Sequence, residues 1–343
     1  MRQPVIAILV AAAMGLAVSA RGAEVRARAL ADFDSFITMR VAGGVPTAVS
    51  LDQAAEMLKD ADVVFVGELH DHIANHLAEM ALLRALSSRT PKLALSMEQF
   101  ERDAQPVVDG YLAGKVGEQS LKDNARAWPN YNDAYRPLVE YAKQHGVPVI
   151  AANAPAGIVR CVAEQGVGFL KTLPADHRGW VASDVHAEDG PYKQKFLRFL
   201  REDPAHGGSS DADKSDAAAR AEKSFSAQVT RDDTMAESIA DFLRGHPGYK
   251  VMHVTGAFHV QARLGTVERL KLRAPGLKIA VILPVEAVNP DKPALSADDA
   301  KGADFAIVVS PRPKAYVTEK EREAAEAKEE TMFRAAESEG CKL

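Results

Sequence analysis

Cysteine is scarce: Cys161 and Cys341 are the only two in 343 residues. At most one bridge can form, and the sequence leaves open whether the two meet or stay free thiols. Basic residues do not outnumber acidic ones. The formal net charge is −5 and no long basic block occurs, so there is no footprint for a phosphate backbone and nucleic acid is not an expected partner. There is no Gly-x-Ser-x-Gly elbow and no cysteine placed as a nucleophile, so neither signature of covalent hydrolysis is present. No repeat of solenoid period appears. Long apolar runs are also missing, apart from one at the N-terminus.

What is present suits a soluble globular protein: 47% apolar and 26% charged residues, in a length that makes one large domain or two small ones. The first 23 residues hold Arg2, an apolar run from Val5 to Val18 and small residues at Val18-Ser19-Ala20. This is the pattern of a cleaved secretory signal, too short to span a membrane comfortably. The expected location is therefore periplasmic or secreted, and with no cysteine near the cut a lipoprotein anchor is not available.

The rest alternates between strands and helices. Apolar runs predict strands at Val63 to Val66, Lys92 to Met97, Val147 to Ala152, Tyr249 to Val254, Ile279 to Val285 and Phe305 to Val309. Helical spacing falls at Ser50 to Asp60, with Ser50 and Gln53 placed as a capping box, and at Ile73 to Leu86, Val107 to Ala113, Ser120 to Ala127, Leu138 to His145 and Phe225 to Leu243. Gly146 closes the fifth of these. This order predicts an α/β fold with a mainly parallel central sheet of about six strands flanked by helices. One domain is expected over residues 24–310, with a polar stretch, Arg201 to Ala221, long enough to be a lid. Residues 311–343, rich in Glu, Lys and Ala from Glu319 to Glu339, read as a charged terminal helix or tail.

Several strands end on chemistry. The first runs through Gly67 into Glu68, Leu69, His70, Asp71 and His72, the second ends at Glu98, and the fourth runs into Gly256-Ala257-Phe258-His259. Ligands of parallel sheets sit outside the carboxyl ends of strands, so Glu68, His70, Glu98 and His259 lie where a site is expected. Each Gly-x-x-His asks for glycine to turn the chain off its strand. Two histidines and two glutamates could bind a borderline metal, act as acid and base, or form a polar binding floor. His72 and His76, one helical turn apart, lack the glutamate of a zinc protease motif and read as a solvated helix start. His253, within its strand, reads as a core histidine.

Gly67-Glu68-Leu69-His70, Met97-Glu98-Gln99, the Trp128 to Tyr135 segment, Ala152-Asn153-Ala154-Pro155, Gln228 to Met235 and Gly256-Ala257-Phe258-His259 together resemble the ChaN-like haem-binding uptake family. That family shares a superfamily with Tiki proteases, TraB proteins and erythromycin esterases. The resemblance implies an exported α/β domain that binds haem, a tyrosine as iron ligand, a homodimer tied to haem binding, and an outer-membrane receptor or haem transporter as partner. Tyr131 and Tyr135 lie in the matching aromatic segment. Glu68, His70, Glu98, Arg231, Asp232 and His259 are the other residues it places around the cofactor; Arg231 and Asp232 are read as an ion pair facing the pocket, a propionate anchor, or a surface helix pair. In the enzyme relatives the same motifs support hydrolysis. On that alternative reading, a metal-dependent peptidase or esterase, Glu98 or His70 activates water, while His70, Glu98 and His259 hold a divalent metal such as zinc.

Overall fold

The computed structural model describes residues 29–41, 45–202, 214–295, 298–325 and 341. The expected signal segment, the centre of the expected lid and most of the charged tail lie outside the described residues. In chain order the strands are β1 (Phe36–Arg40), β2 (Thr47–Val49), β3 (Val63–Glu68), β4 (Leu93–Glu101), β5 (Val149–Asn153), β6 (Lys250–Gly256), β7 (Ile279–Glu286) and β8 (Phe305–Val309). The helices are α1 (Leu51–Leu58), α2 (Ile73–Ser87), α3 (Gln105–Leu112), α4 (Glu118–Asn124), α5 (Tyr131–Ala134), α6 (Arg136–His145), α7 (Ala156–Gln165), α8 (Ala175–Arg178), α9 (Pro191–Glu202), α10 (Lys214–Gly245) and α11 (Thr266–Arg273).

All six expected strands form, and the fold class is as expected, but the sheet has eight strands in the order β2-β1-β8-β7-β3-β6-β4-β5. The two extra strands sit at one edge. β1 runs antiparallel to both β2 and β8, whereas β8, β7, β3, β6, β4 and β5 are mutually parallel. β3 and β4 are almost wholly buried, as expected of strands covered on both faces.

Side-chain alternation sends Val64, Val66, Leu95 and Met97 to a core shared with α2 and α6, and Val63, Phe65 and Ala94 to a core shared with α10 and α11. Local signals act as expected at two helix ends. Ser50 Oγ accepts from the Gln53 amide at 3.1 Å while Gln53 Oε1 accepts from the Ser50 amide at 2.8 Å, and Gly146 ends α6 at φ 66°. Cys161 on α7 is bonded to Cys341, which ties that cysteine to the body of the fold. Among the described residues no helix is long and apolar enough to cross a membrane.

Candidate functional site

β3, β6 and β4 are neighbours in the sheet, with Glu68 opposite Gly256 in register, so the three strand exits marked in the sequence meet at one edge. They do not share one pocket floor, because alternation divides them. Glu68 and Gln99 project toward α2 and α6, and Glu98 and Thr255 toward α10.

The glycines serve a purpose other than the expected turn. Neither lies at positive φ; Gly256 has φ −52°. They give room. A Cβ on Gly67 would come within 3.1 Å of Ala257 Cα, and one on Gly256 within 2.7 Å of His70 Nε2. His70 can therefore lie across the strand end, which places its imidazole between the two halves of the site.

On the α2 side, Glu68 Oε1 accepts from His70 Nδ1 at 2.6 Å, Tyr135 Oη at 2.8 Å and Gln99 Nε2 at 2.9 Å. Burial works against charge on His70, but the hydrogen bond and charge of Glu68 outweigh it and raise the imidazole above its ordinary value. His76, in the first turns of α2, donates from Nε2 to the His70 carbonyl at 3.1 Å and turns Nδ1 to Glu79 at 3.2 Å and to Glu68 Oε2 at 3.7 Å. Burial and the Glu68 carboxylate push Glu79 well above the usual carboxylate range. This corrects the reading of His72 and His76 as a solvated helix start. Both are buried, His72 as the N-cap whose Nδ1 accepts from the Ala74 amide and whose Nε2 reaches the Ser310 carbonyl at 2.8 Å.

On the α10 side, His259 lies between two acids, with Nδ1 2.8 Å from Asp232 Oδ1 and Nε2 3.4 Å from Glu98 Oε1. Burial disfavours its charge, but Asp232 and then Glu98 overcome that and raise it to about 10. Burial would raise Glu98, yet the charge of His259 holds it far below its ordinary value; Thr255 Oγ1 at 2.6 Å and the Gly256 amide at 2.8 Å also donate to it. Asp232, likewise held low by His259 against its burial, accepts from Thr266 and Tyr192 hydroxyls, each at 2.7 Å. It pairs with His259 and not with half-buried Arg231. His253 is a core residue, its Nδ1 2.9 Å from Ser96 Oγ and its charge suppressed by burial to about 3.

Tyr131 and Tyr135 are both buried. Burial raises both phenols, and the Glu68 charge adds to the effect on Tyr135; the Tyr131 hydroxyl has no hydrogen-bond partner among the described residues. The exposed group at the edge is His70, whose side chain is 45% accessible and stands edge-on to Trp128 at 5.0 Å between ring centres. Sequence reasoning missed three contributors. Gln99, His76 and Glu79 join Glu68, and the signal for the last two was a histidine and glutamate three apart on a helix that starts at a strand exit.

A family model described as haem-binding uptake, Tiki superfamily, ChaN matches residues 54–270, more than half of the chain. The structure of Campylobacter jejuni ChaN with cofacially bound haem is similar at a TM-score of 0.59 and 14% identity, over 80% of this chain and 97% of that one, which is a likeness of fold. An erythromycin esterase mutant in its open conformation gives a TM-score of 0.42 at 15% identity, over 84% and 86% of the two chains, too loose to carry an argument. Among curated proteins, the chloroplastic RETICULATA-RELATED 5 of Arabidopsis thaliana is 29% identical over 136 residues, 37% of this chain. The chain spans only 18% of that relative's length.

Proposed function

Because the chain belongs to the ChaN family of haem-binding uptake proteins in the Tiki superfamily, we propose that it is an exported haem carrier whose porphyrin lies over the carboxyl edge of the sheet with His70 turned to the iron. The observation that carries this reading is the setting of His70. Its ring is nearly half exposed and its Nδ1 is tied to Glu68, so Nε2 is the nitrogen left for a metal, oriented by a carboxylate as metal-binding imidazoles commonly are. Bound haem would supply an iron centre that accepts such a ligand.

The chain's own contribution is to aim the imidazole, leave space at Gly256 and offer Trp128 and Phe258 as apolar walls. Lys195, its Nζ 4.0 Å from the centre of the Phe258 ring, and Arg231 are cations for the propionates. Tyr131 and Tyr135, the tyrosines favoured by the family resemblance, would reach iron only if the Trp128 to Tyr135 segment lifted from the core. The disulfide and the apolar run at Val5 to Val18 support an oxidising, exported location. A homodimer around haem and transfer to a receptor or transporter belong to the same reading.

Titration of the mature protein with hemin tests it. A saturable Soret change that is lost in His70→Ala and kept in Tyr131→Phe and Tyr135→Phe is expected. A change that survives His70→Ala but collapses with either tyrosine moves the iron to tyrosine, and no saturable change in the wild type refutes haem binding.

A further inference from the structure

Behind the exposed edge, three buried oxygens of one cluster, Glu68 Oε2, Glu79 Oε1 and Gln99 Oε1, have no hydrogen-bond partner among the described residues. All three residues are buried. Leaving such groups unpaired is costly, and so is packing two carboxylates together away from water. We propose that Glu68, Glu79 and His76 form a buried site for a divalent transition-metal cation, distinct from the exposed Nε2 of His70 and from the Glu98–His259 pair, with Glu68 common to both places through its Oε1 contact with His70 Nδ1.

The geometry supports this in three ways. The ligand atoms of Glu68, His76 and Glu79 lie within 4.8 Å of one another. Ligands about 2.1 Å from a tetrahedral ion stand about 3.4 Å apart. The Nδ1 of His76 is 3.2 Å from Glu79 Oε2 and 3.7 Å from Glu68 Oε2, which brackets that spacing without rearrangement.

The tautomer is also set. A carbonyl only accepts, so the contact of His76 Nε2 with the His70 carbonyl places a proton on Nε2, and in the singly protonated ring Nδ1 then carries the lone pair, turned to the two acids. Imidazoles that bind metals are oriented by this kind of second contact. Asn130 Nδ2 donates to the same carbonyl at 2.8 Å and fixes it in place.

Finally, the three donors on Glu68 Oε1 hold that carboxylate with Oε2 directed at His76. One imidazole and two carboxylate oxygens suit zinc, cobalt, iron or manganese better than calcium or magnesium, which prefer all-oxygen shells.

The test uses the full mature chain, dialysed against chelator and titrated with Co2+. A stoichiometric uptake with visible ligand-field bands, reversed by Zn2+, is expected. X-ray absorption of the wild-type complex should show a shell of one nitrogen and two or more oxygens. Glu79→Gln, close in volume, should weaken Co2+ binding roughly tenfold or more, while Glu98→Gln leaves it unchanged. The hemin Soret response of Glu79→Gln serves as the fold control and separates failure of this site from failure of haem binding. Absence of cobalt uptake by the wild type, a shell with two imidazoles, or loss of uptake in Glu98→Gln with retention in Glu79→Gln would each overturn the proposal.

Discussion

Replacing Asp232 by asparagine should do more than remove a hydrogen bond, because Asp232 is the main reason His259 is charged. The imidazole moves from an ordinary value of 6.5 in the unfolded chain to about 10 in the fold. A group raised in this way adds stability that is complete below 6.5 and is lost as pH rises through 10. At pH 7 the amount is about 4 kcal/mol, shared between Asp232 and Glu98. Asp232 is held below its ordinary 3.8, so its own contribution is present above that value and disappears in acid.

Asp232→Asn should therefore lose about 3–5 kcal/mol between pH 4 and 6.5, the usual cost of breaking a buried pair. The gap from wild type should narrow as pH approaches 10, where His259 becomes neutral in both proteins. Urea unfolding of the two proteins at pH 5.5, 7, 8.5 and 9.5 measures this, with the His259 imidazole followed by NMR. A gap that does not change with pH, or a wild-type His259 that titrates near 6.5, would refute the account.

Two further outcomes follow from close contacts and from the covalent link. Gly256→Ala places a methyl 2.7 Å from His70 Nε2, at a backbone φ of −52° that alanine accepts, so the protein should fold with a near-native circular dichroism spectrum while its hemin affinity falls; unchanged affinity would show that His70 does not lie where the iron binds. Cys341→Ser should lower stability by about 2–4 kcal/mol, and the unreduced, unfolded wild type should react with no thiol reagent.

The six parallel strands were legible because each is a compact apolar run between turn residues. The edge strands were not. β1 is five residues, Phe36–Arg40, β2 is three, Thr47–Val49, and the pairing of β1 with β8 depends on contacts far away in sequence. α10 begins at Lys214 rather than at Phe225, since its first turns carry alanines and charges that favour helix without an apolar stripe. α7 and α9 went unread in the irregular middle of the sequence, although Ile158, Val159 and Val162 mark a buried stripe in the first and Tyr192 and Phe196 in the second. At the site, Glu68, His70, Glu98 and His259 were visible as strand-end residues. Which face each took was not, because a one-residue step along a strand reverses direction and the consequence depends on what packs there.

The charge states bear on what the α10 half can do. A general base works best when its pKa lies near the working pH. Glu98 is held far below that range by His259, so at pH 7 it is an anion with little tendency to take a proton from water. His259 is a cation with both ring nitrogens turned to acids, and has no lone pair to offer. The pair is matched to fix charge, and the hydrolytic role assigned to Glu98 would require His259 to be neutralised first. His70 differs because only one of its nitrogens is committed. Glu68 favours its protonated form, so a metal held at Nε2, as the proposed reading has it, would compete with a proton there. That competition is absent for a structural imidazolium and present for a metal ligand, so on the proposed reading haem binding through His70 would strengthen as pH rises, which hemin titration at several pH values measures.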